Sequence, residues 1–213
     1  MGQPHFQHIG ATFSITISVH DAVPMQLLER VIKRRKIVLA EIDRNGLPDK
    51  SLRKEIIHDK FYRYLDKLLH TRRNQEHPLA EPNAVQKVVD RIWQLSEQYY
   101  EVIAYSIMSN HVHLQLDFSK QCPDDWDGYS VIPEYRNLAQ VIGFIKGGSA
   151  FDVNKSTGRK GKLWSKGYYD RYIRDQRHFM NEFYYILGNP EKAGLVDNWR
   201  DHSFTYGTPD LLR

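Results

Sequence analysis

Cysteine is almost missing from this chain: Cys122 stands alone among 213 residues. That excludes an intramolecular disulfide and a cysteine-based zinc cluster, and a reducing compartment suits it. No run of about eighteen apolar residues occurs either, so no membrane span is expected. Residues 1–8 show neither the basic start nor the apolar stretch of a secretory signal. Internal repeats and low-complexity stretches are lacking too. These absences predict a cytoplasmic, non-membrane protein, and the length predicts one domain spanning residues 1–213.

Charge is present but unevenly placed. Between Arg136 and Arg177 ten basic residues face three acidic ones, a local +7 within a chain of net +4, so the remainder carries −3. The same stretch holds Phe144, Phe151, Trp164, Tyr168, Tyr169 and Tyr172. Cations interleaved with aromatic rings suit a single-stranded nucleic-acid groove, where lysines track phosphates and rings stack on bases. A solvated basic face beside core aromatics has the same composition.

Residues 11–20 alternate strictly, with Phe13, Ile15, Ile17 and Val19 on one face, and predict a strand. Helical spacing follows over 25–42 and 51–70, the second helix turning Leu52, Ile56, Leu65 and Leu68 inward. A third helix is predicted from Asn83, with Gln86 as capping-box partner and Val85, Val88, Val89, Ile92 and Leu95 as its stripe. Residues 101–107 and 111–118 read as a hairpin. A helix over 134–152, a basic loop over 154–162, a strand over 164–173 and a helix over 175–188 complete the order. The skeleton is α+β: a ferredoxin-like β-α-β-β-α-β antiparallel sheet with helices on one face. To it are added a helical insertion at about 25–80 and a C-terminal helix.

Within the hairpin, Asn110-His111-Val112-His113 places two imidazoles on one strand face and Val112 on the other. With ten histidines in the chain such a pair also arises by chance, so context must confirm it. On the C-terminal helix, Tyr185 and Asn189 are four residues apart and share a face. Together these residues offer two imidazoles, an amide oxygen and a phenol, a donor set suited to Mg²⁺ or Mn²⁺. Plainer readings exist for each. The histidines could lie on the surface of an edge strand, Tyr185 could be core as Tyr184 or Phe183 is expected to be, and Asn189 could only cap the helix before Pro190.

Three motifs, Asn110-His111-Val112-His113-Leu114, Gly167-Tyr168-Tyr169-Asp170-Arg171, and Tyr185-Ile186 followed by Asn189-Pro190 and Lys192-Ala193-Gly194-Leu195-Val196, resemble those of the REP-associated tyrosine transposases. These belong to the HUH single-strand endonucleases with one catalytic tyrosine. The likeness is loose over 11–20 and close over 83–206, including Trp199 and the segment from Ser203 to Tyr206; the insertion at 25–80 exceeds the family pattern. It implies a bacterial, nucleoid-associated enzyme acting on single-stranded DNA, at a hairpin or repeat element, as monomer or homodimer. It also implies Tyr185 as the nucleophile forming a 5′-phosphotyrosine link, and His111, His113 and Asn189 as ligands of a divalent metal. The basic aromatic region would read the DNA, through Lys146, Arg159, Lys160, Lys162, Lys166, Tyr168, Tyr169 and Arg171. The alternative is a domesticated protein of the same fold that binds such hairpins without cleaving them.

Overall fold

Alternation along one strand sets the plan. In β1 (Thr12–Ser18), Phe13, Ile15 and Ile17 are buried on one side while Ser14 and Thr16 are buried on the other. The computed structural model describes residues 8–45, 48–71 and 77–212, so most of the N-terminal stretch that lacks a signal pattern lies outside the described residues. Five strands form one antiparallel sheet in the order β4-β1-β3-β2-β5, with β2 Glu101–Ile107, β3 His111–Asp117, β4 Tyr169–Tyr172 and β5 Thr205–Gly207. The first four follow the expected ferredoxin-like arrangement. β5 extends the sheet along the free side of β2; three residues are too short for alternation to announce a strand. The predicted strand over 164–173 shrinks to β4, because Gly167 turns with a φ of +81° and Trp164 makes only an isolated bridge to Val19.

On the apolar side of the sheet lie α3 (Pro82–Ser96) and α4 (Leu138–Thr157), packed on each other and on Phe13, Ile15, Ile17, Val112, Leu114 and Leu116. The α3 stripe of Val85, Val88, Val89 and Ile92 is buried as its spacing predicts. Its start differs: Pro82 opens the helix, and the Gln86 amide donates to Asp90 instead of closing a box with Asn83. Proline suits the first helical turn, where no backbone N–H is needed. In α4 a true capping box, Asn137 with Gln140, moves the start from 134 to Leu138. That helix also takes in residues 154–157, read from sequence as loop, and stops at Gly158 with φ +67°.

The opposite side carries α2 (Lys50–Thr71) and α5 (Gln176–Leu187), the latter continued by the short α6 (Asn189–Lys192). α5 sets Phe183, Ile186 and Leu187 against Ile103 and Ala104 of β2. α1 (Met25–Arg44) leans on α2 and buries only Ile42. Only the C-terminal half of α2 reaches the sheet. Leu52 and Ile56, predicted inward, are therefore exposed, whereas Phe61, Tyr62, Leu65 and Leu69 are buried. None of the described helices is long and apolar enough to cross a membrane.

Candidate active site

β3 lies between β1 and β2, so its polar side is interior and not an exposed edge. His111 and His113 are 1% and 0% exposed. Val112 and Leu114, on the reverse side, belong to the apolar core. The Asn110 amide donates to the Leu69 carbonyl of α2 at 2.9 Å, which turns its oxygen toward His111. His111 Nδ1 donates to that oxygen at 2.7 Å, leaving Nε2 as the lone-pair nitrogen, buried and without a hydrogen-bond partner. Burial holds this imidazole well below its ordinary value and therefore neutral. That is the tautomer and charge a metal ligand needs. His113 is oriented from behind by Thr16, 2.9 Å from Nδ1, and Thr16 is in turn 2.6 Å from the Tyr62 hydroxyl.

The three consecutive aromatics of α5 meet three environments. Phe183 is core, Tyr185 faces His113 edge-on with ring centroids 5.8 Å apart, and Tyr184 is 57% exposed. Tyr184 is thus not a core residue, since one step of about 100° carries it out to solvent. The Tyr185 hydroxyl donates to Asp66 Oδ2. Burial, together with the negative Asp66 beside it, pushes the phenol well above its ordinary range. Lys192 Nζ sits 3.7 Å from the centre of the Tyr185 ring. Asn189 is fully buried; its Nδ2 donates to the Tyr185 carbonyl at 2.9 Å, and its Oδ1 accepts from His70 Nε2 at the same distance. It closes the end of α5 and also presents its oxygen to the site.

Asp66 and His70 were not among the residues expected here. They stand four apart on α2, and their ligand atoms lie within 4.8 Å of one another and of those of His111 and His113. A carboxylate and an imidazole at helical i, i+4 spacing were the available signal. Asp66 Oδ1 is 3.0 Å from His113 Nε2, and Oδ2 is 3.5 Å from His70 Nε2. The His70 ring stands edge-on to His111 at 5.4 Å. Burial alone would raise the Asp66 carboxyl, but the facing imidazoles of His113 and His70 and the Tyr185 hydroxyl hold it well below the usual range. His111 Nε2, His113 Nε2 and Asp66 Oδ1 are buried without hydrogen-bond partners and converge. Orphaned polar atoms of this kind cost about 1–3 kcal/mol each unless something satisfies them. Mixed nitrogen and hard oxygen donors fit a divalent cation.

The residues expected to contact DNA separate into two groups. Lys160, Lys162 and Lys166 are exposed, and Arg159 is partly so. Lys146, in contrast, donates to the carbonyls of Ser165 (2.8 Å) and Gly167 (2.5 Å) and ties that loop to α4. Arg171 pairs with Asp59 at 2.8 Å and with Glu182, and its guanidinium lies 5.4 Å over the Tyr62 ring. Tyr168 packs against the apolar core, and Tyr169 meets Phe61 edge-on while burial pushes its hydroxyl up to about 12. Two rings of α4, Phe144 and Phe151, are exposed.

No family model matches the chain. It is 27% identical over 113 residues to a Haemophilus influenzae protein named "Putative REP-associated tyrosine transposase", covering 53% of this chain and 62% of that one. The chain therefore spans somewhat less than two thirds of the relative's length. Among solved structures, that of a REP-associated tyrosine transposase bound to a REP hairpin aligns over 100% of this chain and 86% of its own, with a TM-score of 0.51 and 15% identity. At that identity the likeness speaks for the fold. The resemblance carried by the three motifs thus extends to a relative in sequence and to a neighbour in architecture.

Proposed function

We propose that this chain is a single-stranded DNA endonuclease and strand transferase in which Tyr185 is the nucleophile and a divalent metal is required. One observation carries the reading: the Tyr185 hydroxyl, two buried histidines with convergent Nε2 atoms and a carboxylate meet in one cluster. Names borne by the sequence relative and the structural neighbour point the same way. In this reading residues 1–213 act as one unit, and His111, His113 and Asn189 hold Mg²⁺ or Mn²⁺. The cation supplies Lewis acidity, withdrawing charge from the scissile phosphate and its departing 3′ oxygen.

The chain's own residues set up the attack. Asp66, held ionised, can only accept from Tyr185, so the hydroxyl hydrogen turns toward α2 and an oxygen lone pair is left for phosphorus. As the Oη–P bond forms the phenol passes its proton to the Asp66 carboxylate, the bond to the 3′ oxygen breaks, and that oxygen takes up one proton, so no net proton is gained or lost. The 5′-phosphotyrosine keeps the energy of the broken ester, so a free 3′-OH can reverse the step. Cleavage and rejoining are one chemistry. The DNA is a hairpin or repeat element, met by Lys160, Lys162, Lys166 and Arg159 with the exposed rings of Phe144 and Phe151. Stacking on such rings contributes about 1–3 kcal/mol per base.

Incubation with labelled single-stranded hairpins and Mn²⁺ should yield a covalent adduct on a denaturing gel. The adduct is expected to vanish in Tyr185→Phe and persist in Tyr184→Phe. Tight binding with no adduct under any divalent metal would instead identify a hairpin-binding protein that does not cut.

A further inference from the structure

We infer that Asp66 is itself a ligand of the metal, so that the inserted helix α2 completes the active site instead of merely covering it. The inference rests on the metal required by the reading above and adds a residue that the sequence motifs do not contain.

Two atoms are decisive. His113 Nε2 and Asp66 Oδ1 face each other at 3.0 Å, both buried, and the contact does not have the geometry of a hydrogen bond. With its Nε2 as the lone-pair nitrogen, His113 beside the Asp66 carboxylate would offer two donors that a cation between or beside them satisfies. Ligands about 2.1 Å from an octahedral Mg²⁺ or Mn²⁺, at right angles to each other, stand about 3.0 Å apart. The pair is therefore already spaced as adjacent ligands of one hard cation. His111 Nε2, likewise buried and unpartnered, belongs to the same 4.8 Å cluster.

Asp66 does not reach this place by accident of exposure, because its neighbours hold it there. Leu65 and Leu69 on the same helix are buried, and the Leu69 carbonyl receives the Asn110 amide that orients His111. Its second oxygen, Oδ2, takes the Tyr185 hydroxyl. One carboxylate would thus hold the nucleophile through Oδ2 and the metal through Oδ1. His70 acts as a positioning residue, donating to Asn189 Oδ1 at 2.9 Å.

The test reads metal binding without DNA. Chelator-stripped full-length protein is titrated with Mn²⁺, and free Mn²⁺ is followed by electron paramagnetic resonance. Wild type should bind one tight equivalent and His113→Ala none. Asp66→Asn, close in shape, should weaken binding at least about tenfold. Tyr185→Phe, which removes the hydroxyl but leaves the carboxylate, should bind as wild type. Unchanged affinity in Asp66→Asn overturns the inference. As a gain of signal, Asp66→Cys should give a Cd²⁺–thiolate absorption band above the Cys122 background, and its loss on adding His113→Ala shows that the thiolate binds within the folded site. Cd²⁺ binding without that band also overturns it. Failure of the two proposals is separable: Asp66-dependent Mn²⁺ binding with no DNA adduct sinks the endonuclease reading alone, whereas an adduct with Asp66-independent binding sinks only this one.

Discussion

A single amide decides which nitrogen His111 offers. Asn110 is held by the Leu69 carbonyl, and its oxygen fixes the His111 proton on Nδ1. Asn110→Ala should leave the imidazole free to change tautomer and turn, lowering Mn²⁺ affinity about tenfold or more while the fold survives; metal titration beside thermal unfolding checks both halves. The residues legible in the sequence are those whose neighbours follow a regular period. His111 and His113 stand out because Val112 and Leu114 alternate with them, and Tyr185 because helical phase aligns it with Asn189. Asp66 and His70 sit instead among Lys60, Arg63 and Lys67, where a carboxylate looks like one more solvated charge. Composition does not reveal that their side of the helix is covered. Arg171 misled in the opposite sense: a basic residue in a basic stretch, it faces Asp59 and Glu182 from other elements.

Those pairings matter at the scale of elements. Arg171 on β4 joins Asp59 of α2 to Glu182 of α5, and Glu182 accepts from Ser14 of β1 at 2.7 Å. Two strands and two helices are thereby clamped on the polar side of the sheet, next to the candidate site. Removing the cation would strand a largely buried carboxylate, so Arg171→Met should destabilise the fold by about 3 kcal/mol, read from denaturant midpoints. Loss of stability much below that would mean the clamp is wet and loose. The helices themselves were readable from their apolar periods. Their depth was not, since Leu52 and Ile56 have the spacing of a buried stripe on a half-helix that overshoots the sheet.

Across the whole molecule, the sheet separates two tasks. Its apolar side, with α3 and α4, holds most of the core, and its buried polar side, with α2 and α5, holds the candidate chemistry. Topology was legible because four strands of known order leave few ways to pair. β5 was not, because three residues carry no period. Of the lysines expected to contact DNA, the exposed ones, Lys160, Lys162 and Lys166, lie in the loop after α4. Replacing Lys160, Lys162 and Lys166 with Ala should weaken hairpin binding and lower its salt slope by about 0.7 for every phosphate no longer neutralised. Cleavage at low salt should continue. A slope equal to that of wild type would put the DNA elsewhere.

The alternation along β3 has an evolutionary consequence. Positions 112, 114 and 116 serve the core, whereas positions 111 and 113 face the candidate cluster, although they share one strand. The two roles can relax independently. Under the proposed function, a descendant that exchanged either histidine for another residue of tolerable size would keep the apolar side of the strand, so a folded state alone would not tell a working copy from a fossil. Under the proposed function that record lies in His111 and His113 together with Tyr185 and Asp66.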